Sequence, residues 1–467
     1  MQHSFGTSEN WKHLYNSKIS RMTENQGIDE INNSAFRFVG NLVPFKGQPE
    51  TVTEENKNLR GDGTEMILDL GEIDNFEINP ISPIDGKLNS KYRSVKGRII
   101  GIDENGFIEF AAMIENIQQL PAFFAKCDFN FLVQNTFDWI IDIYINGRAP
   151  IMLIDYLREK IENESKEHTL YFRIDGIQME DDFAIGNCQI TFISDQSIEG
   201  FINSYLQKKE AVNIDEIRTG YQIMKGVNIK ASITSTSDNA KNICLREAEL
   251  SMDVLKCFLG GYSLNQYYAI PDLEHRKNGA ARLSYWVFAS EVVPSAPDFK
   301  NLGGFIALPI DNAFIAEAKK RGIEIFSNFI KKKFTDSLYS EITDAIQRFA
   351  KIISTSNNYE KVVKAISLLE GCILERSNKS NGNGEGKIKK YVLPKLTTNQ
   401  IQIFEKSIRK AYHVRNLYVH NSTEIPLNEQ DLWVLLEIVR LFIIKLINLH
   451  ESGKRQFETI QDFFLVT

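Results

Sequence analysis

The last third of the chain carries four stretches whose apolar residues recur every three to four positions, a spacing that builds helices. Residues 332–354 space Phe334, Leu338, Ile342, Ala345, Ile346, Phe349 and Ile353 in this way, and residues 358–377 do so with Val362, Val363, Ile366, Leu369, Ile373 and Leu374. A third helix is expected to start at Thr397 or Thr398 and to carry Ile401, Ile403, Phe404, Ile408, Ala411 and Tyr412. It should end near Asn421, with Pro426 beyond as a stop. The fourth, 428–450, places Leu432, Leu435, Leu436, Val439, Phe442, Ile443, Leu446 and Ile447 at helical spacing. Four such helices with connecting loops read as an up-down bundle. Residues 377–387, rich in Gly, Asn and Ser, read as a flexible surface loop, and their glycines and lysine do not fit the P-loop spacing.

The third helix ends in Arg415-Asn416-x-x-x-His420. These residue types can cleave RNA without a metal. Histidine moves a proton near neutral pH. Arginine presents a permanently charged planar fork to a phosphate whose charge grows in the transition state. Asparagine can orient the phosphate or the attacking oxygen. The spacing by itself is weak, since roughly one such Arg–His pair is expected by chance in a chain of this composition. The plain alternative is an exposed helix end with a dipole-compatible histidine. Asn416 and His420, four apart, share a face. Arg415 and His420, five apart, diverge on a regular helix; a distorted helix end or a site built from two protomers would bring them together. His413, seven residues before His420, points roughly the same way and is a second candidate proton carrier or an ordinary surface histidine. Tyr418 is a candidate RNA contact or a packing residue.

Charge divides the chain. Residues 311–467 hold 24 Lys+Arg and 18 Asp+Glu, a net of +6, whereas residues 1–310 hold 30 and 43, a net of −13. Lys406, Arg409 and Lys410 precede the motif, and Lys387, Lys389 and Lys390 flank the glycine-rich run. Phosphate binding needs such charge; a solvated helix face is the plainer use of each lysine. The acidic N-terminal part repels bare nucleic acid and suits a regulatory, protein-sensing role.

With the motif at the end of the third helix of a C-terminal four-helix bundle, the chain resembles the HEPN ribonucleases, and among them the ApeA-type bacterial anti-phage proteins. Outside the bundle the resemblance is architectural only. It implies that Arg415 and His420 are catalytic, that Asn416 assists, and that two bundles pair in a homodimer so that both motifs face one cleft. The family often has an acidic residue on the second helix in a Leu-Glu setting. Leu369-Glu370 fits that place, so Glu370 either holds Arg415 or is a solvent-facing helix residue. The function implied is a metal-independent endoribonuclease of an abortive-infection system. It would cleave RNA, with tRNA a candidate substrate, through 2'-hydroxyl attack once the N-terminal region senses a phage-derived protein trigger. The alternative is a catalytically silent bundle acting as an RNA-binding or dimerisation scaffold.

With 467 residues and 43% hydrophobic content, two or three domains are expected. The fold class expected is α+β and multidomain: a β-rich region at 1–205, a mixed α/β region at 206–315, and an all-α HEPN-like bundle at 316–467. The five cysteines have no paired spacing, which points to reduced thiols in a cytoplasm and to no zinc site. No cofactor is expected. No secretory signal or membrane span is expected either; the longest apolar candidate, 432–449, is interrupted by Glu437, Arg440 and Lys445. These three and Asn448 form a narrow polar stripe on a helix otherwise apolar, as suits a bundle or dimer interface. Hairpins are expected across Asn105-Gly106, after the Trp139-to-Ile145 run at Asn146-Gly147, and from the 170–174 run across Asp175-Gly176 to a strand at 188–193. The middle region is expected to mix a helix at 240–259 with a strand at 282–290. Asp272-Leu273-Glu274-His275-Arg276 reads as a charged loop, and as a candidate second site or trigger element.

Overall fold

A computed structural model describes residues 24–44, 77–79, 88, 90–95, 98–124, 126–147, 151–207, 215, 218, 221–222, 224–260, 270–277, 286–288, 307–334, 336–373, 384–396, 400–452 and 460. The chain divides into two compact units, residues 1–166 with 234–240, and residues 167–233 with 241–467. The architecture is mixed α+β. The stretches 206–315 and 316–467 fall largely together in the second unit.

The first unit corrects the expectation of a β-rich N-terminal region. Its described elements are α1 (Glu24–Gly40), β1 (Val43–Pro44), β2 (Glu77–Ile78), β3 (Lys91–Val95), β4 (Arg98–Ile102), α2 (Glu104–Gln119), α3 (Phe129–Asn146) and α4 (Leu153–Glu164). The strands form one antiparallel sheet in the order β1-β4-β3-β2. No hairpin forms at Asn105-Gly106. Asp103 caps α2 there, its side chain accepting from the Gly106 amide at 2.9 Å. Phe107, Phe110, Met113, Ile114 and Ile117 are buried, a helical stripe, whereas Ile108 is 69% exposed. The Trp139-to-Ile145 run likewise lies in α3. Asp128 caps that helix by accepting from the Phe131 amide at 2.7 Å, and Gly147 ends it at φ 71°. A continuous apolar run does not distinguish a buried strand from a buried helix; here capping and length decide for the helix.

Glu77 on β2 accepts from Lys91 and Gln134, each at 2.9 Å, and pairs with Arg93, which also reaches Asp138. Burial alone would raise the Glu77 pKa, but hydrogen bonds from Gln134, Arg93 and Lys91 outweigh it and bring the carboxyl down to about 2. A carboxylate depressed in the folded state contributes stability that is complete above its unfolded value and is lost as pH falls towards the folded one. Glu77→Gln is therefore expected to destabilise the chain at neutral pH. That deficit should shrink as the pH drops from about 5 towards 3. Urea denaturation at several pH values checks this; a deficit independent of pH would contradict it.

The second unit begins with β5 (Lys166–Asp175), β6 (Ile177–Met179), β7 (Phe183–Ile185), β8 (Cys188–Ile193), α5 (Asp195–Leu206), β9 (Gly226–Ser235) and α6 (Ser237–Lys256). It continues with β10 (Asp272–Leu273), α7 (Glu274–Lys277), β11 (Trp286–Phe288) and β12 (Leu308–Ile310). The main sheet runs β10-β5-β9-β8-β7, with β11 also on β5. The expected pairing of the 170–174 run with 188–193 does not occur, because β9 lies between β5 and β8. Gly176, at φ 83°, instead leads into β6, which pairs in parallel with β12. The helix expected at 240–259 is α6. Of the strand expected at 282–290, β11 is described and the remainder lies outside the described residues.

The C-terminal helices are α8 (Asn312–Lys320), α9 (Ile323–Lys332), α10 (Ser337–Ser354), α11 (Asn358–Ile373), α12 (Gly384–Lys387), a π-helical turn (Ile388–Val392), α13 (Leu393–Leu396), α14 (Ile401–Asn421) and α15 (Glu429–Glu451). Helices α10, α11, α14 and α15 pack on one another. Helix α10 starts later than its apolar pattern suggests because Asp336 caps it, accepting from the Tyr339 amide at 2.8 Å. One hydrophobic core runs from Leu170, Phe172 and Ile190 in the sheet, through Met252 and Phe258, to Phe326, Ile346, Ile366, Ile408 and Phe442 in the helices.

Helix α15 is buried on almost every side. The first half of its expected polar stripe is buried, Glu437 and Arg440 being 8% and 6% exposed, whereas Lys445 is half-buried and Asn448 exposed. Glu437 pairs with both Arg321 and Arg440, and Arg440 donates to the Arg321 carbonyl. Helices α9 and α13 of the same unit pack against α15. Its wide apolar face is thus used within the chain and gives no ground for a second copy. The five cysteines are free, four of them buried. Among the described residues no helix is long and apolar enough to cross a membrane.

Candidate functional site

Helix α14 carries the motif. It has no Gly or Pro from Ile401 to Asn421, and it buries Phe404, Ile408, Ala411, Tyr412 and Val414 against the bundle. Ser422 ends it in the left-handed region at φ 50°, its amide donating to the Leu417 carbonyl, as does the Thr423 amide at 3.2 Å. The helix is α throughout, so no distorted end turns Arg415 towards His420. Five residues at 100° each leave the two side chains about 140° apart around the axis.

Arg415 lies at the edge of the buried face, with its side chain 30% exposed. Its Nη2 is 3.6 Å from Glu370 Oε2 on α11, and Glu370 is 17% exposed. Tyr412, one turn earlier on α14, donates its hydroxyl to Glu370 Oε1 at 2.7 Å. The Tyr412 ring centre is 5.9 Å from the Arg415 guanidinium carbon, within cation–π range. Burial, with the hydrogen bond to Glu370 and its charge, pushes the Tyr412 phenol well above its ordinary pKa. Of the two roles open to Glu370, the geometry is that of an ion-pair partner.

The other motif residues face out. Asn416 and His420 are exposed, and His413 is exposed on the same stripe with Lys406, Arg409 and Lys410. Lys410 is also paired, its Nζ 2.5 Å from Asp431 Oδ2 on α15, so its charge is partly neutralised. The stripe can track a phosphate backbone while offering an imidazole and an amide near one end. Tyr418 stacks on Tyr359 with ring centres 5.5 Å apart and 11° between planes, which is the packing use of that aromatic. Beside them, Glu360, Val363, Lys364, Tyr418, Val419, Ser422 and Glu424 line an open depression.

Residues missed by sequence reasoning are Tyr412 and Gly384. Tyr412 had a readable signal, three positions before Arg415 and hence on its side of the helix. Gly384 sits against Glu370 and Tyr412 and opens α12 at the end of the glycine-rich run. Residues 374–383, most of the expected flexible loop, lie outside the described residues. In the flanking lysines, Lys389 pairs with Glu385.

The charged stretch 272–276 is no loop. Asp272 and Leu273 form β10 against Asp175 and Ile174, and Arg276 lies in α7. Arg276 pairs with Asp253 at 2.7 Å and Glu249 at 3.3 Å, and Lys256 pairs with Asp272 at 2.5 Å. These charges serve one another.

Comparison with protein-family models, with curated proteins and with solved structures finds no match.

Proposed function

We propose that the chain is a metal-independent endoribonuclease of the HEPN type, acting in anti-phage abortive infection. The observation that carries this reading is the ion-paired Arg415, held by Glu370 on the same helix end that exposes Asn416 and His420 beside a basic stripe. In the mechanism proposed, the RNA 2'-hydroxyl attacks the adjacent phosphate. His420 carries a proton, Arg415 meets the charge growing on the phosphate oxygens, and Asn416 orients the group between them. The products are a 2',3'-cyclic phosphate and a free 5'-hydroxyl. Such an activity requires restraint. The contrast of a net −8 over residues 1–166, with 17 Lys+Arg and 25 Asp+Glu, against +6 in residues 311–467 supports an N-terminal region that withholds the site until a phage protein engages it. The trigger must favour the active state by its differential affinity; a shift from about 1% to 99% active needs roughly 5.5 kcal/mol.

One observation favours a second reading. Since α14 is regular to its end, Arg415 and His420 of a single chain do not converge on one phosphate. Either two copies pair, so that Arg415 of one faces His420 of the other, or the bundle is a catalytically silent RNA-binding or dimerisation scaffold. Product analysis separates these. The purified full-length chain, incubated with total RNA in EDTA, is expected to yield cyclic phosphate ends slowly, from the roughly 1% of molecules that are active without trigger. End-sequencing of cellular RNA after phage infection should show the same ends with the wild type and none with His420→Ala. No cleavage under either condition supports the scaffold, and strict dependence on a divalent ion rules out the mechanism proposed.

A further inference from the structure

We infer that Tyr412 is a positioning residue, which sets the plane of the Glu370 carboxylate and through it the place of the Arg415 guanidinium, and that the backbone at Gly384 closes this clamp. The inference deepens the ribonuclease reading and rests on it for its kinetic consequence; the clamp itself rests on geometry.

A carboxylate on a helix turns freely about its last bond unless one oxygen is held. Glu370 Oε1 is held by the Tyr412 hydroxyl at 2.7 Å, which leaves Oε2 facing Arg415 Nη2 at 3.6 Å. Tyr412 is 6% exposed, so its hydroxyl has little water to turn to. Its ring lies on the guanidinium side as well, so one residue contacts both members of the ion pair. The phenol keeps its proton at any working pH, and towards a carboxylate it can only donate. Gly384 completes the enclosure. A Cβ built there would overlap Glu370 Oε1 and the Tyr412 hydroxyl, so a side chain at this position must displace one of these two groups. Such a displacement disturbs the contact between the Tyr412 hydroxyl and the carboxylate.

The test uses the full-length chain. Tyr412→Phe keeps the ring and removes the hydrogen bond. Cleavage is expected to lose about tenfold in kcat with KM unchanged, because Arg415 acts on charge that appears only in the transition state. Gly384→Ala should show the same division between kcat and KM, and the double variant should be no slower than the slower single one, since both act through Glu370. A loss confined to KM, or unchanged kcat in Tyr412→Phe, overturns the inference. Nuclear magnetic resonance of chain labelled with 15N-arginine gives a readout free of catalysis, with the Arg415 side-chain signal assigned by its absence in Arg415→Lys. That signal should stand apart from those of solvent-exposed arginines in the wild type and move towards them in Tyr412→Phe and Glu370→Gln. If the wild type cleaves no RNA either as purified chain or after phage infection, the ribonuclease reading has failed and the resonance decides the clamp alone; an Arg415 signal identical in wild type and Tyr412→Phe overturns it.

Discussion

Alanine at His420 or at Arg415 is expected to lower RNA cleavage by the full-length chain at least about a hundredfold while leaving the fold intact. His420 is exposed at the end of α14, so its removal leaves no cavity. Arg415 is partly exposed, and Glu370 keeps its hydrogen bond from Tyr412 when the guanidinium is gone. The stronger experiment mixes the two inactive variants. If each site takes Arg415 from one chain and His420 from the other, a mixed dimer contains one complete site and one doubly empty one. Half the dimers in an equal mixture are mixed, so roughly a quarter of wild-type activity should return. If both groups of a site come from one chain, the mixture stays inactive. The regular α14 makes recovery the expected outcome. Wild-type activity in either variant alone removes the assignment of that residue.

Replacing Glu437 by leucine is expected to cost about 3 kcal/mol in unfolding free energy, because it strands the buried Arg440 and the half-buried Arg321 without their carboxylate. Arg321 and Arg440 both pair with Glu437, and the Arg321 Nε is buried with no partner among the described residues. A single deletion therefore leaves two uncompensated cations close together. Changing Arg321, Glu437 and Arg440 together to methionine should recover most of that loss, since a well-packed apolar trio avoids the desolvation cost of all three charges. Denaturant unfolding of the two variants provides the comparison. A loss under about 1 kcal/mol in Glu437→Leu would mean that water reaches the cluster.

The helical part of the second unit was legible because its pattern is amphipathic and long. Helices α10, α11, α14 and α15 fall within a few residues of where Leu338, Val362, Ile408 and Leu432 and their repeats place them. The two departures in the first unit have one cause. Around Asn105-Gly106 and Asn146-Gly147, short apolar runs beside a turn-forming dipeptide read as strands, although Asp103 and Asp128 stand at cap positions before them. The Asp-Phe-Asn-Phe opening of α3 in particular is a cap followed by a helix buried on several sides, where polar residues are too few to show the period. At the candidate site, Arg415, Asn416 and His420 were readable as a motif and Glu370 as its possible partner. Tyr412 was assigned to the core, which is true of its ring and silent about its hydroxyl. Gly384 could not be foreseen, since the approach of α12 to Glu370 depends on tertiary packing that brings residues 14 positions apart together. The burial of Glu437 and Arg440 was hidden for the same reason: their partner, Arg321, is more than a hundred positions away.

The core that runs without a break from Leu170 to Phe442 bears on how such a protein can be switched. A bundle joined to its neighbours by a linker can be unhooked, swung aside or clipped free. Here the helix that carries Arg415 and His420 shares its apolar interior with a β-sheet built from residues more than 100 positions earlier in the chain. Severing the chain near residue 311 would strip the inner wall from α8, α9 and α10. A bundle so joined cannot easily be transplanted as a cassette. On the ribonuclease proposal, a protease could not arm it, and control would come from outside that body, by masking the exposed stripe of α14 or by deciding how two such bodies meet.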